Sequence, residues 1–281
     1  MTVDARLQLP DVTLVCVDTR TPDLALAAMR RCIAQVQFAK ALLFTDAAAL
    51  TAATSGIEVI GLEVPTVAAY SEFMLRGLDM HIDTSHVLVV QWDGYVLDAG
   101  QWEPGFLNCD YIGAPLRDAP PGQAVGNGGF SLRSKRLLQA MRDPAMQIRH
   151  PEDICICQLN RRRLEHDHGM RFADAAIAQR FSWERLPAAG PTFGFHGLFN
   201  MQHVMPAAEL HALVQALPDA LARGLDAHDL CRSLIAARQL DTAAELLAKR
   251  RRLGMRDRRT LRLHALLAWA RYGWRLSKPS H

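Results

Sequence analysis

Four short stretches carry residues able to do chemistry together. Asp93 follows the apolar run Val87-Leu88-Val89-Val90 and precedes Gly94. A carboxylate therefore stands where a buried strand ends, beside a residue that lets a ligand approach the backbone closely. A hard divalent cation takes such an oxygen, and an Asp-Gly pair also makes an ordinary turn. Gly126-Asn127-Gly128-Gly129 offers four residues that tolerate positive φ, whose N–H groups could line a phosphate or sugar pocket or simply close a surface loop. The run lacks the Lys-Ser/Thr ending of a P-loop and the strand–helix frame of a dinucleotide fingerprint. Glu152-Asp153 directly after Pro151 starts a helix, where a carboxylate can complement the dipole or project into a cleft as a general base. His196, within Phe193-Gly194-Phe195-His196-Gly197, is either a structural histidine or a neutral imidazole available to a metal. A cation to neutralise an anionic leaving group and a base to take a proton from a nucleophile make a coherent pair.

The elements that must hold these residues follow from periodicity. Short apolar runs at 12–17, 41–44, 57–62 and 87–90 alternate with helix-like segments at 22–37 and 66–78, the pattern of a parallel sheet covered by helices. Ligands in such sheets sit beyond the carboxyl ends of the strands. Three of those ends carry polar residues: Asp18-Thr19, Thr45-Asp46 and Gln91-Trp92-Asp93. Residues 108–133 lapse into Gly, Pro and aromatics, a loop length usually tied to function. A helix is expected at 134–142, another from Glu152 towards Arg163, and a closing segment at 191–197. Residues 206–274 are helical throughout, with 241–253 and 260–274 as an αα-hairpin. The chain thus reads as an α/β domain over 1–203 and a basic helical appendage over 204–281.

Composition narrows the classes. With 281 residues, 49% hydrophobic and 22% charged, the chain can bury a large core and is neither disordered nor fibrous. Residues 205–281 hold 14 Lys and Arg against 7 Asp and Glu, a local net of +7 within a whole-chain +3, so the first 204 residues carry −4. The α/β part is therefore no general polyanion binder, and no nucleic-acid motif accompanies the basic part. The runs Lys249-Arg250-Arg251-Arg252 and Arg256-Asp257-Arg258-Arg259 form a solvated helical face or a peripheral contact with an anionic membrane. Six dispersed cysteines and the lack of an export signal point to reduced thiols in the cytoplasm. Cys155-x-Cys157 and His166-x-His168 lack the usual zinc-ligand spacing and, two apart on a helix, point in different directions, so buried thiols and solvated histidines are expected ahead of a zinc site. A metal-dependent phosphoesterase would need several ligands per metal pair, which the sequence does not cluster.

The motifs also resemble a known group of enzymes. Gln91-Trp92-Asp93 looks like a variant of the Asp-x-Asp metal motif, and Gly126-Asn127-Gly128-Gly129-Phe130-Ser131-Leu132-Arg133 resembles an acceptor-side Gly-Gly loop. Glu152-Asp153-Ile154 is similar to the Glu-Asp-Val segment of inverting β-1,3-galactosyltransferase-like enzymes, and His196 matches their late metal histidine. Tyr70-Ser71-Glu72-Phe73-Met74, Val90-Gln91-Trp92-Asp93-Gly94 and Asp110-Tyr111-Ile112-Gly113-Ala114-Pro115 resemble, more closely, an uncharacterised bacterial and eukaryotic family of GT-A-like domains. The resemblance spans about residues 10–200. It implies a GT-A-type, Rossmann-like, mostly parallel sheet and transfer of a sugar from a nucleoside-diphosphate sugar, UDP-sugar by default, to a hydroxyl of a glycan, lipid-linked or protein acceptor. It further implies Mn²⁺ or Mg²⁺ on Asp93 and His196, and Asp153 rather than Glu152 as base. Asp18, Thr19, Asp46, Ser71, Gln91, Trp92, Gly128 and Gly129 would contact the donor. Gln91 departs from the motif, since its first position is usually acidic. That lowers the expected metal affinity and keeps open a binding module on the same fold without turnover.

Overall fold

A computed structural model describes residues 6–117, 119–120 and 122–272. The chain divides into two compact units, Met1–His196 and Gly197–His281. In the first, the order is β1 (Leu7–Val17), α1 (Pro22–Gln35), β2 (Val36–Thr45), β3 (Glu58–Gly61), α2 (Val67–Glu72), β4 (His86–Val90), β5 (Gly94–Val96), β6 (Tyr111–Ile112) and β7 (Phe130–Ser134). There follow α3 (Lys135–Ala140), α4 (Glu152–Ile154), α5 (Arg161–His166), α6 (Ala175–Phe181), β8 (Ser182–Trp183) and β9 (Gly194–His196).

Six strands form one sheet in the order β3-β2-β1-β4-β7-β6. The first four are parallel, and β7 runs against both β4 and β6. This is the expected α/β architecture, a mostly parallel sheet flanked by helices. Its cause is visible in the strands: Val12 to Val17 and all of β4 are buried on both faces, as strands under two helical layers must be. One covering layer brings Met74, Leu78, Ile82 and Leu138 onto Val15, Val17, Val87 and Val89. A second sheet, β5-β9-β8, stands at the carboxyl end of β4.

Several elements differ from expectation for identifiable reasons. Helix α1 stops at Gln35 rather than 37, because Val36 already pairs with Leu7 in the sheet. The helix expected over 66–78 begins on the Thr66 hydroxyl, which accepts from Ala69 N–H at 3.1 Å. It then widens at Phe73–Gly77 and tightens at Leu78–His81. Likewise the helix from Glu152 is not continuous. After α4 it widens over Cys155–Leu159, and Asn160 diverts its side chain to Gln147 N–H and the Cys155 carbonyl, both at 2.9 Å, before α5 begins. The segment 108–133, expected to be irregular, contains β6 and the start of β7. All five residues of β7 are buried, Arg133 included, and polar residues on a doubly covered strand mask its pattern.

The second unit is helical: α7 (Met201–Val204), α8 (Ala207–Ala216), α9 (Asp219–Arg223), α10 (Leu225–Ala236), α11 (Leu240–Arg252) and α12 (Arg258–Tyr272). Leu230, Leu234, Leu246, Leu247 and Leu263 form its interior. The expected end of the last helix, Trp274, lies outside the described residues. Among those residues no helix is long and apolar enough to cross a membrane.

Candidate active site

The carboxyl end of β4 turns at Gln91-Trp92-Asp93-Gly94, closed by Gly94 N–H donating to the Gln91 carbonyl at 3.0 Å. Strand β5 then pairs antiparallel with β9, setting Gly94 opposite His196. A Cβ on Gly94 would lie 2.8 Å from the Phe195 carbonyl oxygen, so glycine is what permits this approach. The register places His196 Nε2 3.2 Å from Asp93 Oδ1 and 3.2 Å from Gln91 Oε1. On the other side of the ring, Nδ1 lies 3.2 Å from Glu184 Oε1, just beyond β8. Burial opposes a charge on the ring, yet Asp93 and Glu184 outweigh it and hold the His196 pKa well above the ordinary value.

The glycine-rich run meets this group from the next strand. Only Asn127 adopts positive φ, at 67°. The glycines of the run use their small size rather than their tolerance of positive φ. A Cβ on Gly128 would fall on Glu152 Oε1, and one on Gly129 on the imidazole of His196. Nor do the amides of this loop all face outward: Gly129 and Phe130 N–H donate to Asn127 Oδ1 at 2.9 and 3.4 Å. Asn127 Nδ2, by contrast, is buried without a partner.

Helix α4 brings up two carboxylates with different surroundings. Glu152 is buried and accepts from Arg133 NH2 at 3.1 Å, with side-chain exposures of 5% and 0%. Arg133 is also held by Ser131 Oγ at 3.0 Å and sits over the Tyr111 ring at 5.6 Å. Asp153 is partly buried; desolvation first and the neighbouring Glu152 charge second push its pKa up, against the Ile154 amide and Arg133, which pull it down. Gln91, Gly128, Gly129, Glu152, Asp153 and His196 share the wall of one cavity of about 210 Å³. Asp93 joins them through its contact with His196.

The other residues expected to contact the donor are not among those lining this cavity. Asp18 binds the start of α1, accepting from Arg20 and Thr21 N–H at 2.8 and 2.7 Å and from the Thr21 hydroxyl at 2.7 Å. Thr19 follows it in the same half-buried loop. Asp46 is exposed and caps a short turn through Ala48 N–H at 3.0 Å. Ser71 is buried and bonds His150 Nδ1 at 2.9 Å, so it supports a cavity-lining residue. Trp92 is half-buried beside Asp93 and is not among the residues lining the cavity.

All the residues lining this cavity fall within one stretch of the sequence that matches a known family. Residues 61–196 match the DUF5672 family, a protein family of unknown function. The matched stretch ends on His196 and contains the Tyr70–Met74, Gln91–Gly94 and Asp110–Pro115 motifs, whereas Asp18, Thr19 and Asp46 precede it. No curated protein matches the chain in sequence. Among solved structures, the galactosyltransferase LgtC in complex with donor and acceptor sugar analogues is similar at 13% identity and a TM-score of 0.41, covering 66% of this chain and 86% of that one. Mouse xyloside xylosyltransferase 1, in its apo form, is similar at 11% identity and 0.41, covering 68% and 98%. An active-site mutant of LgtC follows at 14% and 0.37, covering 66% and 86%. Function follows from the site rather than from so distant a likeness.

Within the matched stretch, three residues of the site take roles that the sequence reading did not assign to them. Glu184 follows a strand of two residues, too short for a period to show. Tyr70, whose hydroxyl accepts from Gln91 Nε2 at 3.1 Å, looks like one more aromatic in a helix. Arg133 between Leu132 and Ser134 was the available sign that a carboxylate must oppose it, since buried arginines are paired.

Proposed function

We propose that the cavity transfers a sugar from a nucleoside-diphosphate sugar, a UDP-sugar by the resemblance, to an acceptor hydroxyl with inversion. The observation that supports this most is a single cavity lined by both Asp153 and His196, with Asp93 held against the imidazole behind its wall. Asp153 takes the acceptor proton as the new oxygen–carbon bond forms on one side of the sugar carbon. The bond to the diphosphate breaks on the other, and its electron pair leaves with the diphosphate. A carboxylate whose pKa is raised by burial is the stronger base for that step. Tyr70 and His196 fix the Gln91 amide between them, and Glu184 orients the imidazole.

The donor set fits a small divalent ion held partly by substrate. Asp93 Oδ1 and His196 Nε2 would hold the ion, which would take the imidazole lone pair in place of the proton that Asp93 and Glu184 favour in its absence. Among the described residues no group of three His, Cys, Asp or Glu could hold a metal, so the other positions fall to water and phosphate oxygens. When bound, Mn²⁺ or Mg²⁺ neutralises the departing diphosphate.

A screen of nucleotide sugars for Mn²⁺-dependent thermal shift tests the reading. One donor class is expected to raise the melting temperature of the wild type and not of Asp93→Ala; an equal shift in both rules out the metal assignment. The neutral Gln91, engaged by Tyr70 and His196, favours a second reading, a sugar-nucleotide-binding module without turnover. Donor binding with no nucleotide release under Mn²⁺ would select it.

A further inference from the structure

In the helical unit, a cavity of about 380 Å³ opens among the start of α10, the end of α11 and the start of α12. Its wall carries Arg223, His228, Arg250, Arg258 and Arg259, with Asp257 as the carboxylate among them. Asp257 is already engaged: Oδ1 accepts from Arg259 and Thr260 N–H at 2.9 and 3.1 Å, and Oδ2 accepts from the Thr260 hydroxyl at 3.0 Å. It caps α12, and the nearby Asp229 is taken up by His228 Nδ1 at 3.1 Å.

Two of these arginines have a structural task that does not exhaust them. Arg223 NH1 donates to the Leu253 carbonyl at 2.7 Å, and Arg250 NH1 donates to the Ala222 and Gly224 carbonyls at 2.6 and 3.0 Å. Both thereby close the ends of neighbouring helices. Arg250 is only 2% exposed, however, and its Nε has no partner. A guanidinium is a planar fork whose buried donors are normally all taken, and it matches phosphate oxygens two at a time. Helix α10, twelve residues long, follows Gly224 without a side-chain cap and carries Asp226 in its first turn, and its first residue, Leu225, lines the same cavity. The positive end of a helix dipole thus adds to the field of four arginines. Burial lowers the Arg250 pKa, a cost that an anion in the cavity would relieve.

We propose that this cavity binds a phosphate or diphosphate group, presented by a soluble phosphate ester or by a lipid headgroup. Arg250 supplies the buried contact, and Arg258 and Arg259, exposed on the first turn of α12, close over it.

The test uses the full chain in EDTA, which silences any metal-dependent donor site. Inorganic pyrophosphate is titrated by calorimetry, and in parallel the protein is floated with vesicles of phosphatidylcholine, with or without phosphatidic acid. Saturable pyrophosphate binding is expected. It should weaken about tenfold or more in Arg258→Gln/Arg259→Gln, since each lost contact is a charge-assisted hydrogen bond, and persist in His196→Ala. Recruitment to acidic vesicles without pyrophosphate binding, lost in the same double variant, assigns the phosphate to a lipid. Both exchanged arginines lie at the surface, so circular dichroism of the double variant should match the wild type. Absence of binding in both arms overturns the proposal. So does binding that the double variant retains or that His196→Ala removes.

Discussion

Asp153 and Glu152 are adjacent carboxylates that their surroundings divide between chemistry and structure. Glu152 neutralises a fully buried arginine. Removing one partner of such a pair leaves a charge uncompensated, at a cost of about 3–5 kcal/mol. Glu152→Ala is therefore expected to lower the urea midpoint strongly, and an unchanged midpoint would mean that Arg133 finds another partner. Asp153 has no comparable counter-ion, and its folded-state pKa is raised. The penalty on its charged form is absent below the unfolded pKa and fully present above the folded one. Asp153→Asn is thus expected to raise the melting temperature at pH 7 and leave it unchanged near pH 3. As the base must be ionised, the acid limb of kcat/KM should fall at a higher pH than the ~3.9 of a solvated aspartate. An acid limb at or below that value removes Asp153 from the role.

At the scale of elements, the site depends on close backbone approach where β4, β7 and β9 meet. Gly129 leaves room for the imidazole of His196, and its carbonyl accepts from Gln91 N–H at 2.9 Å. Gly194 leaves the same kind of room for the Phe130 ring. Gly129→Ala must push His196 away from Asp93, and overpacking of this sort costs about 1–3 kcal/mol. Mn²⁺-dependent donor binding should then be lost while the far-UV spectrum of the fold remains; intact binding would show that His196 is dispensable. The long parallel strands were legible because they are apolar nearly throughout, as in Val12 to Val17 and Val87 to Val90. Strands β5, β6, β8 and β9 have two or three residues each. No period can appear over so few positions, and their pairing is set by tertiary contacts such as the Phe130, Phe181 and Phe193 cluster.

Over the whole molecule, the two units present charge differently: the part rich in Lys and Arg lies at 205–281, and the candidate site lies in the less basic remainder. The sequence shows Asp93, His196 and Asp153 as separate signals because each sits at a strand end or helix start with its own local pattern. Glu184 and the Arg133–Glu152 pair are fixed only once β7, β8 and α4 come together, and sequence spacing carries no trace of that. The most direct measurement is release of nucleoside diphosphate from nucleotide sugars under Mn²⁺, comparing the wild type with Asp153→Asn. The wild type is expected to turn over one donor class, with the variant slower by about 10²-fold or more at undiminished donor affinity. Equal rates in the two proteins would contradict the assignment of the base and of the cavity built around it.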